Sequence, residues 1–198
     1  MTQELIDIAR YAAERNWCPA TGGNFSARID EQHMAITASG GDKGKLQPQD
    51  ILTADLQGQV INSDRVPSAE TLLHAALYQL DPEIKAVLHV HTIPNTVLSK
   101  YTTGPNLVLH NYEMFKPLRG IATHDMTLEI PIFDNTQNMA TLAHTLKTAW
   151  PTFKNCYGFL VRGHGCYSWG NSILEAKRHL EALEFLFACE LEMLRLKK

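Results

Sequence analysis

The segment Lys85-Ala86-Val87-Leu88-His89-Val90-His91 constrains the fold more than any other stretch of this 198-residue chain. Its apolar run is the pattern of a strand buried on both faces, which has to lie inside a sheet. Two histidines close it, two residues apart. Alternate strand residues share a face, so the two imidazoles project together with Cα atoms about 6.5–7 Å apart. That spacing lets two neutral imidazole nitrogens converge on one metal ion, and it equally fits two buried histidines satisfied by hydrogen bonds.

Helical and strand patterns interleave around this segment. Residues 3–15 place Leu5, Ile8, Ala9 and Ala12 at helical spacing. Short strands are expected at 24–29, 33–37 and 59–62. Ser68, just after Pro67, stands where an N-cap opens the helical run SAETLLHAALYQL. PNTVLSKY reads as a short helix, LEIPIF as a strand and 136–149 as a helix. YGFLVRGHGCYSWG reads as two strands around a glycine turn. A long helix follows from 171 to 195, with Ile173, Ala176, Leu180, Leu183, Phe187, Leu191 and Leu194 along one stripe. No repeat or composition shift divides the chain, so residues 1–198 are expected to form one α/β domain.

Composition removes several classes of function. With 18 Lys+Arg against 21 Asp+Glu there is no basic surplus for a phosphate backbone, and no nucleic-acid partner is expected. No apolar run approaches the ~18–20 residues that cross a bilayer, so no membrane partner is expected either. MTQELIDIAR lacks a basic region followed by an apolar stretch, which points to the cytosol. Cys18, Cys156, Cys166 and Cys189 form no CxxC pair and are expected to be reduced there.

A third histidine gives the pair a context. His164 follows an apolar strand and sits between Gly163 and Gly165, which permit a tight turn and a close backbone approach. Three histidines with one open position make a catalytic rather than a structural zinc site; otherwise the glycines simply form a hairpin that His164 caps. His33, His74, His110, His124, His144 and His179 have no such setting. Two glycine-rich segments, TGGNFS at 21–26 and TASGGDKG at 37–44, combine free backbone N–H groups with hydroxyls and can cradle an anion. Neither is a nucleotide motif, and each also reads as a plain turn. The N-terminus of the helix at 68–80 offers a third anion site.

Taken in order, TGGNFS, TASGGDKG, PSAETLLH, HVH and RGHGCYSWG resemble the class II aldolase/adducin-head family over nearly the whole chain. The resemblance implies a central, mostly antiparallel sheet flanked by helices. It implies one catalytic zinc per subunit, held by His89, His91 and His164, and a pocket for a sugar-phosphate substrate. Asn24 with Ser26, Ser39 with Gly40, and Ser68 would line the phosphate end of that pocket. It also implies a homotetramer with sites near subunit interfaces. HNYEMFKPLRG at 110–120 and the VRGHGCYSWG end resemble a sugar-phosphate dehydratase branch of methionine salvage. Two carboxylates compete for proton transfer: Glu113 matches the acid/base of the dehydratases, and Glu70 matches the catalytic glutamate of the aldolases. Tyr112, Met114 and Phe115 are expected to desolvate Glu113 and raise its pKa. Ser68-Ala69 replaces the two serines common in aldolases, so one phosphate hydroxyl is absent. An aldolase or epimerase is the rival chemistry. A non-catalytic domain of the adducin-head type is the rival class, and it predicts loss of the three histidines, all of which are present here.

Overall fold

The computed structural model describes residues 1–61 and 63–197. The strands are β1 (Asn24–Arg28), β2 (His33–Thr37), β3 (Ile51–Asp55), β4 (Val60–Ile61), β5 (Ala86–Val90), β6 (Asn106–His110), β7 (Thr127–Phe133), β8 (Gly158–Val161) and β9 (Gly165–Gly170). The helices are α1 (Thr2–Glu14), α2 (Thr71–Leu80), α3 (Ile93–Tyr101), α4 (Met139–Phe153) and α5 (Ile173–Leu196). All nine strands join one sheet in the order β4-β3-β2-β1-β5-β9-β8-β7-β6. Its neighbours run antiparallel except for the parallel pair β7–β8.

The apolar run ending in the two histidines becomes β5, the middle strand, flanked by β1 and β9. Residues directly opposite each other across a ladder share a face. Asn24 lies opposite His89 and Ser26 opposite Val87, while Tyr167 and Trp169 oppose His89 and Val87 from the other side. One face of the sheet centre therefore carries Asn24, Ser26, His89 and Tyr167. Helices α2 and α4 cover it, packing Leu73, Leu77, Tyr78, Leu146, Trp150 and Phe153 against Val87, Phe159 and Trp169. The opposite face carries Phe25, Leu88, Val90 and Leu160 beneath Leu5, Ile8, Leu180, Leu183 and Phe187 of α1 and α5. Coverage on both sides is the reason β5 reads as a continuous apolar run.

Most expected elements form within a few residues of their expected limits. Ser68 does not cap a helix. Helix α2 opens three residues later, with Glu70 at the N-cap, and Ser68 instead closes the preceding turn by accepting the Thr71 N–H on its carbonyl at 3.1 Å. Asn138 and Ser172 cap α4 and α5 through side-chain oxygens that accept the Thr141 and Glu175 N–H groups. The strand expected at 59–62 forms as Val60–Ile61, and residue 62 lies outside the described residues. Strands β3 and β6 carry no strand expectation. Both are five residues long, alternate buried with exposed positions, and are completed by their ladders with β2 and β7.

Phe159 is fully buried, stacked on Tyr167 at 4.7 Å between centroids and edge-on to Phe153 and Phe133. Phe159→Ala is expected to cost about 3–5 kcal/mol of stability, read as a lower urea midpoint at unchanged slope. A midpoint within experimental error of wild type would show that this face is not tightly packed.

Candidate metal centre

His89 has no exposed surface, and its Nδ1 lies 2.9 Å from the carbonyl oxygen of Cys166. A carbonyl only accepts, so Nδ1 carries the proton and Nε2 presents a bare lone pair. Burial is the main cause of a His89 pKa pushed down to about 3, which keeps the ring neutral. That lone pair meets Nε2 of His91 at 2.8 Å. His91 stands just past the end of β5, where its N–H donates to the carbonyl of Trp17 at 2.9 Å. Burial, reinforced by His164, lowers its pKa to about 4. His164 reaches in from the β8–β9 turn. Its own carbonyl accepts the Thr96 hydroxyl at 3.1 Å, which ties the turn to the first turn of α3.

Glu70 completes the cluster from the N-cap of α2. Its two carboxylate oxygens lie 2.9 Å from His164 Nε2 and 3.2 Å from His89 Nε2. Asn24 Nδ2 donates to it at 2.6 Å. Burial opposes its charge, but the hydrogen bonds from His164 and Asn24 favour it, and the carboxyl is held well below the usual carboxylate range. One ligand atom from each of Glu70, His89, His91 and His164 lies within 4.8 Å of the others. Three imidazoles beside a carboxylate, with the His89 lone pair aimed by its carbonyl partner, form a donor set that fits zinc.

Two glycines make this approach possible. A Cβ on Gly165 would lie 2.4 Å from the Val90 carbonyl oxygen and 2.8 Å from ring carbons of both His89 and His91. Gly163 turns the chain at φ +64°, the left-handed region that other residues rarely adopt.

A cavity of about 200 Å³ opens beside the cluster, bounded by Gly22, Asn24, Ser39, Gly40, Ser68 and Lys43, with Glu70 and His91 at its inner end. Lys43 was not among the sequence candidates. Its ammonium is buried and donates to the carbonyls of Thr21 and Gly41, each at 2.9 Å, so it ties the two glycine-rich loops together. An ammonium has three N–H donors, which leaves one beyond these two bonds. The only local signal was a lysine among glycines in GGDKG. A larger cavity of about 520 Å³, lined by Trp17, Ile93, Met114 and Phe185 among others, contains none of the clustered groups.

Of the residues expected from the sequence, His89, His91, His164 and Glu70 converge, and Asn24, Ser39, Gly40 and Ser68 line the adjoining cavity. Ser26 is a correction. It is fully buried, and its hydroxyl is spent on His74 Nδ1 and the Tyr78 hydroxyl, each at 2.7 Å, so it cannot meet a phosphate. Glu113 stands outside the protomer's cluster with its side chain 68% exposed, paired with Lys116 at 2.6 Å and His124 at 3.0 Å. Phe115 is the residue of that turn that enters the core, so the expected desolvation of Glu113 does not occur within the protomer. Lys116 is the main cause that lowers its pKa rather than raising it.

The profile of the class II aldolase and adducin N-terminal domain matches residues 3–191. The chain belongs to this family. It is 46% identical to a methylthioribulose-1-phosphate dehydratase of Pseudomonas aeruginosa (strain LESB58), over 100% of this chain and 97% of the relative. It is 50% identical to a methylthioribulose-1-phosphate dehydratase of Pectobacterium atrosepticum, over 95% of this chain and 92% of the relative. Among solved structures, an L-fuculose 1-phosphate aldolase superposes with a TM-score of 0.81 at 26% identity, over 100% of this chain and 87% of the aldolase. The expected family and sheet architecture are both met.

Gly165→Ala is expected to push the β9 backbone off Val90 and the two rings, lowering zinc affinity at least about ten-fold. Metal titration against a competing chelator measures this. Wild-type affinity in a folded Gly165→Ala protein would contradict the close approach.

Proposed function

We propose that this chain is a zinc-dependent hydro-lyase of methionine salvage that dehydrates 5-methylthioribulose 1-phosphate to 2,3-diketo-5-methylthiopentyl 1-phosphate. The observation that carries this reading is the near full-length similarity, at 46% and 50% identity, to two bacterial methylthioribulose-1-phosphate dehydratases. His89, His91 and His164 would hold the ion, and the chemistry it supplies when bound is Lewis acidity toward the substrate's C2 carbonyl.

The remaining work falls to side chains of the protein. Lys43, Ser39, Gly40 and Ser68 receive the phosphate in the cavity beside the cluster. Asn24 donates to Ser68 Oγ at 3.0 Å, so the Ser68 hydroxyl keeps its own proton for a phosphate oxygen. A phosphate fixed there sets the register of C3 and C4 against the reacting groups. A carboxylate removes the C3 proton, the C4 hydroxyl takes up a proton and departs as water, and the enol left between C3 and C4 becomes the C3 ketone. One carboxyl serves both steps, since the proton it accepts is the proton it returns.

Glu113 takes this role, delivered across an interface by a neighbouring subunit of a homotetramer. Its exposure on the protomer leaves it free for such a contact, and burial against a neighbour raises a carboxyl pKa toward working pH. Glu70, held by hydrogen bonds from Asn24 and His164, is suited to charge placement rather than proton return. A second reading, a sugar-phosphate aldolase, is favoured by Glu70 standing in the cluster, where the family's aldolases have their glutamate.

Metal-replete protein incubated with methylthioribulose 1-phosphate is expected to yield the diketone. Glu113→Gln should keep zinc and substrate binding but lose at least ~10²-fold in kcat. Near-normal dehydration by that variant would move the role to Glu70. Aldehyde plus dihydroxyacetone phosphate as main products would overturn the dehydratase reading in favour of the aldolase.

A further inference from the structure

Beneath the metal centre a buried chain of hydrogen bonds links α2 to β1. The Asn24 amide nitrogen donates to Glu70 at 2.6 Å and to the Ser68 hydroxyl oxygen at 3.0 Å. The amide oxygen of Asn24 then faces His74 Nε2 at 2.5 Å, and that nitrogen must carry the proton. His74 is fully buried, and burial pulls its pKa down to about 4, so the ring is neutral with a single N–H. Its Nδ1 is therefore a bare acceptor, and Ser26 Oγ donates to it at 2.7 Å. With its proton spent, Ser26 Oγ accepts from the Tyr78 hydroxyl at 2.7 Å. Every link points the same way, from Tyr78 through Ser26, His74 and Asn24 to Glu70.

We propose that His74 is a positioning residue: its Nε2–H fixes the Asn24 amide so that the NH₂ group faces Glu70 and holds that carboxylate on the three-histidine cluster. The alternative arrangement is costly for a stated reason. If His74 carried its proton on Nδ1, the Asn24 amide would turn over to satisfy Nε2, and its oxygen would face the Glu70 carboxylate. Two acceptors in a dry site repel, and the carboxylate would leave the cluster. The same turn would take the Asn24 donor away from Ser68 at the mouth of the phosphate cavity. Ser26 and Tyr78 hold the tautomer in place, which is the function of the two buried hydroxyls.

Two measurements test this. The first is the tautomer of His74, read from proton–nitrogen correlation spectra of protein labelled on histidine nitrogen. It needs no turnover. The expected result is a proton on Nε2 and none on Nδ1, and a proton on Nδ1 in the wild-type protein overturns the proposal. The second rests on the dehydratase reading and compares kinetics at full zinc occupancy. His74→Phe keeps the ring volume and removes both bonds; kcat is expected to fall about ten-fold or more while KM stays within about three-fold. His74→Gln, which offers a donor and an acceptor, is expected to recover part of the loss. Ser26→Ala is read in the same way if His74→Phe does not fold. Unchanged kcat in these variants, or a loss that only follows the melting temperature and that Gln does not relieve, would overturn the proposal. Absence of dehydration by the wild-type protein counts against the dehydratase reading and leaves the tautomer to decide this one.

Discussion

The register of β1, β5 and β9 is the constraint on which the rest of the molecule depends. It sets Asn24, His89 and Tyr167 side by side on one face of the sheet. Tyr167 stacks on the His89 ring at 4.0 Å, and the Cys166 carbonyl fixes that ring's tautomer. A one-residue slip of β9 would turn its side chains to the other face and remove both contacts at once. The absence of a side chain at Gly165 is what lets β9 pass this close to both imidazoles. The three nitrogens therefore converge because strands meet in one register, with β5 buried along its whole length.

That burial sets the electrostatics. An isolated carboxylate in such a place would neutralise itself, but hydrogen bonds from His164 and Asn24 favour the charge of Glu70. Burial strips the proton from His89 and His91 and leaves lone pairs, the form a metal requires. On the other side of the cavity, the buried Lys43 ammonium donates to two loop carbonyls, and Asp42 and Asp50 favour its charge.

Local signals made the centre of this arrangement legible in the sequence. Period-two spacing in HVH and the glycines on either side of His164 each describe a few adjacent residues, and the structure realises both. What escaped depends on contacts between distant parts of the chain. Ser26 reads as a hydroxyl closing a glycine-rich segment, yet its partners arrive from α2, 48 and 52 residues away. Lys43 matters only because the loops at 21–26 and 37–44 meet. For Glu113 the deciding fact is which side of a short turn faces inward, and Phe115 takes that side. Strands β3 and β6 alternate buried with exposed positions over only five residues each, and pairing with β2 and β7 completes them.

X-ray absorption at the zinc edge of the reconstituted protein tests the central claim most directly. If the His89, His91 and His164 cluster holds the ion, the first shell contains only nitrogen and oxygen at about 2.0–2.2 Å. Multiple scattering from three imidazole rings should accompany it, and His164→Ala should reduce that signature to two rings. Sulfur scattering at about 2.3 Å, or an imidazole signature unchanged by His164→Ala, would place the metal elsewhere and contradict the account.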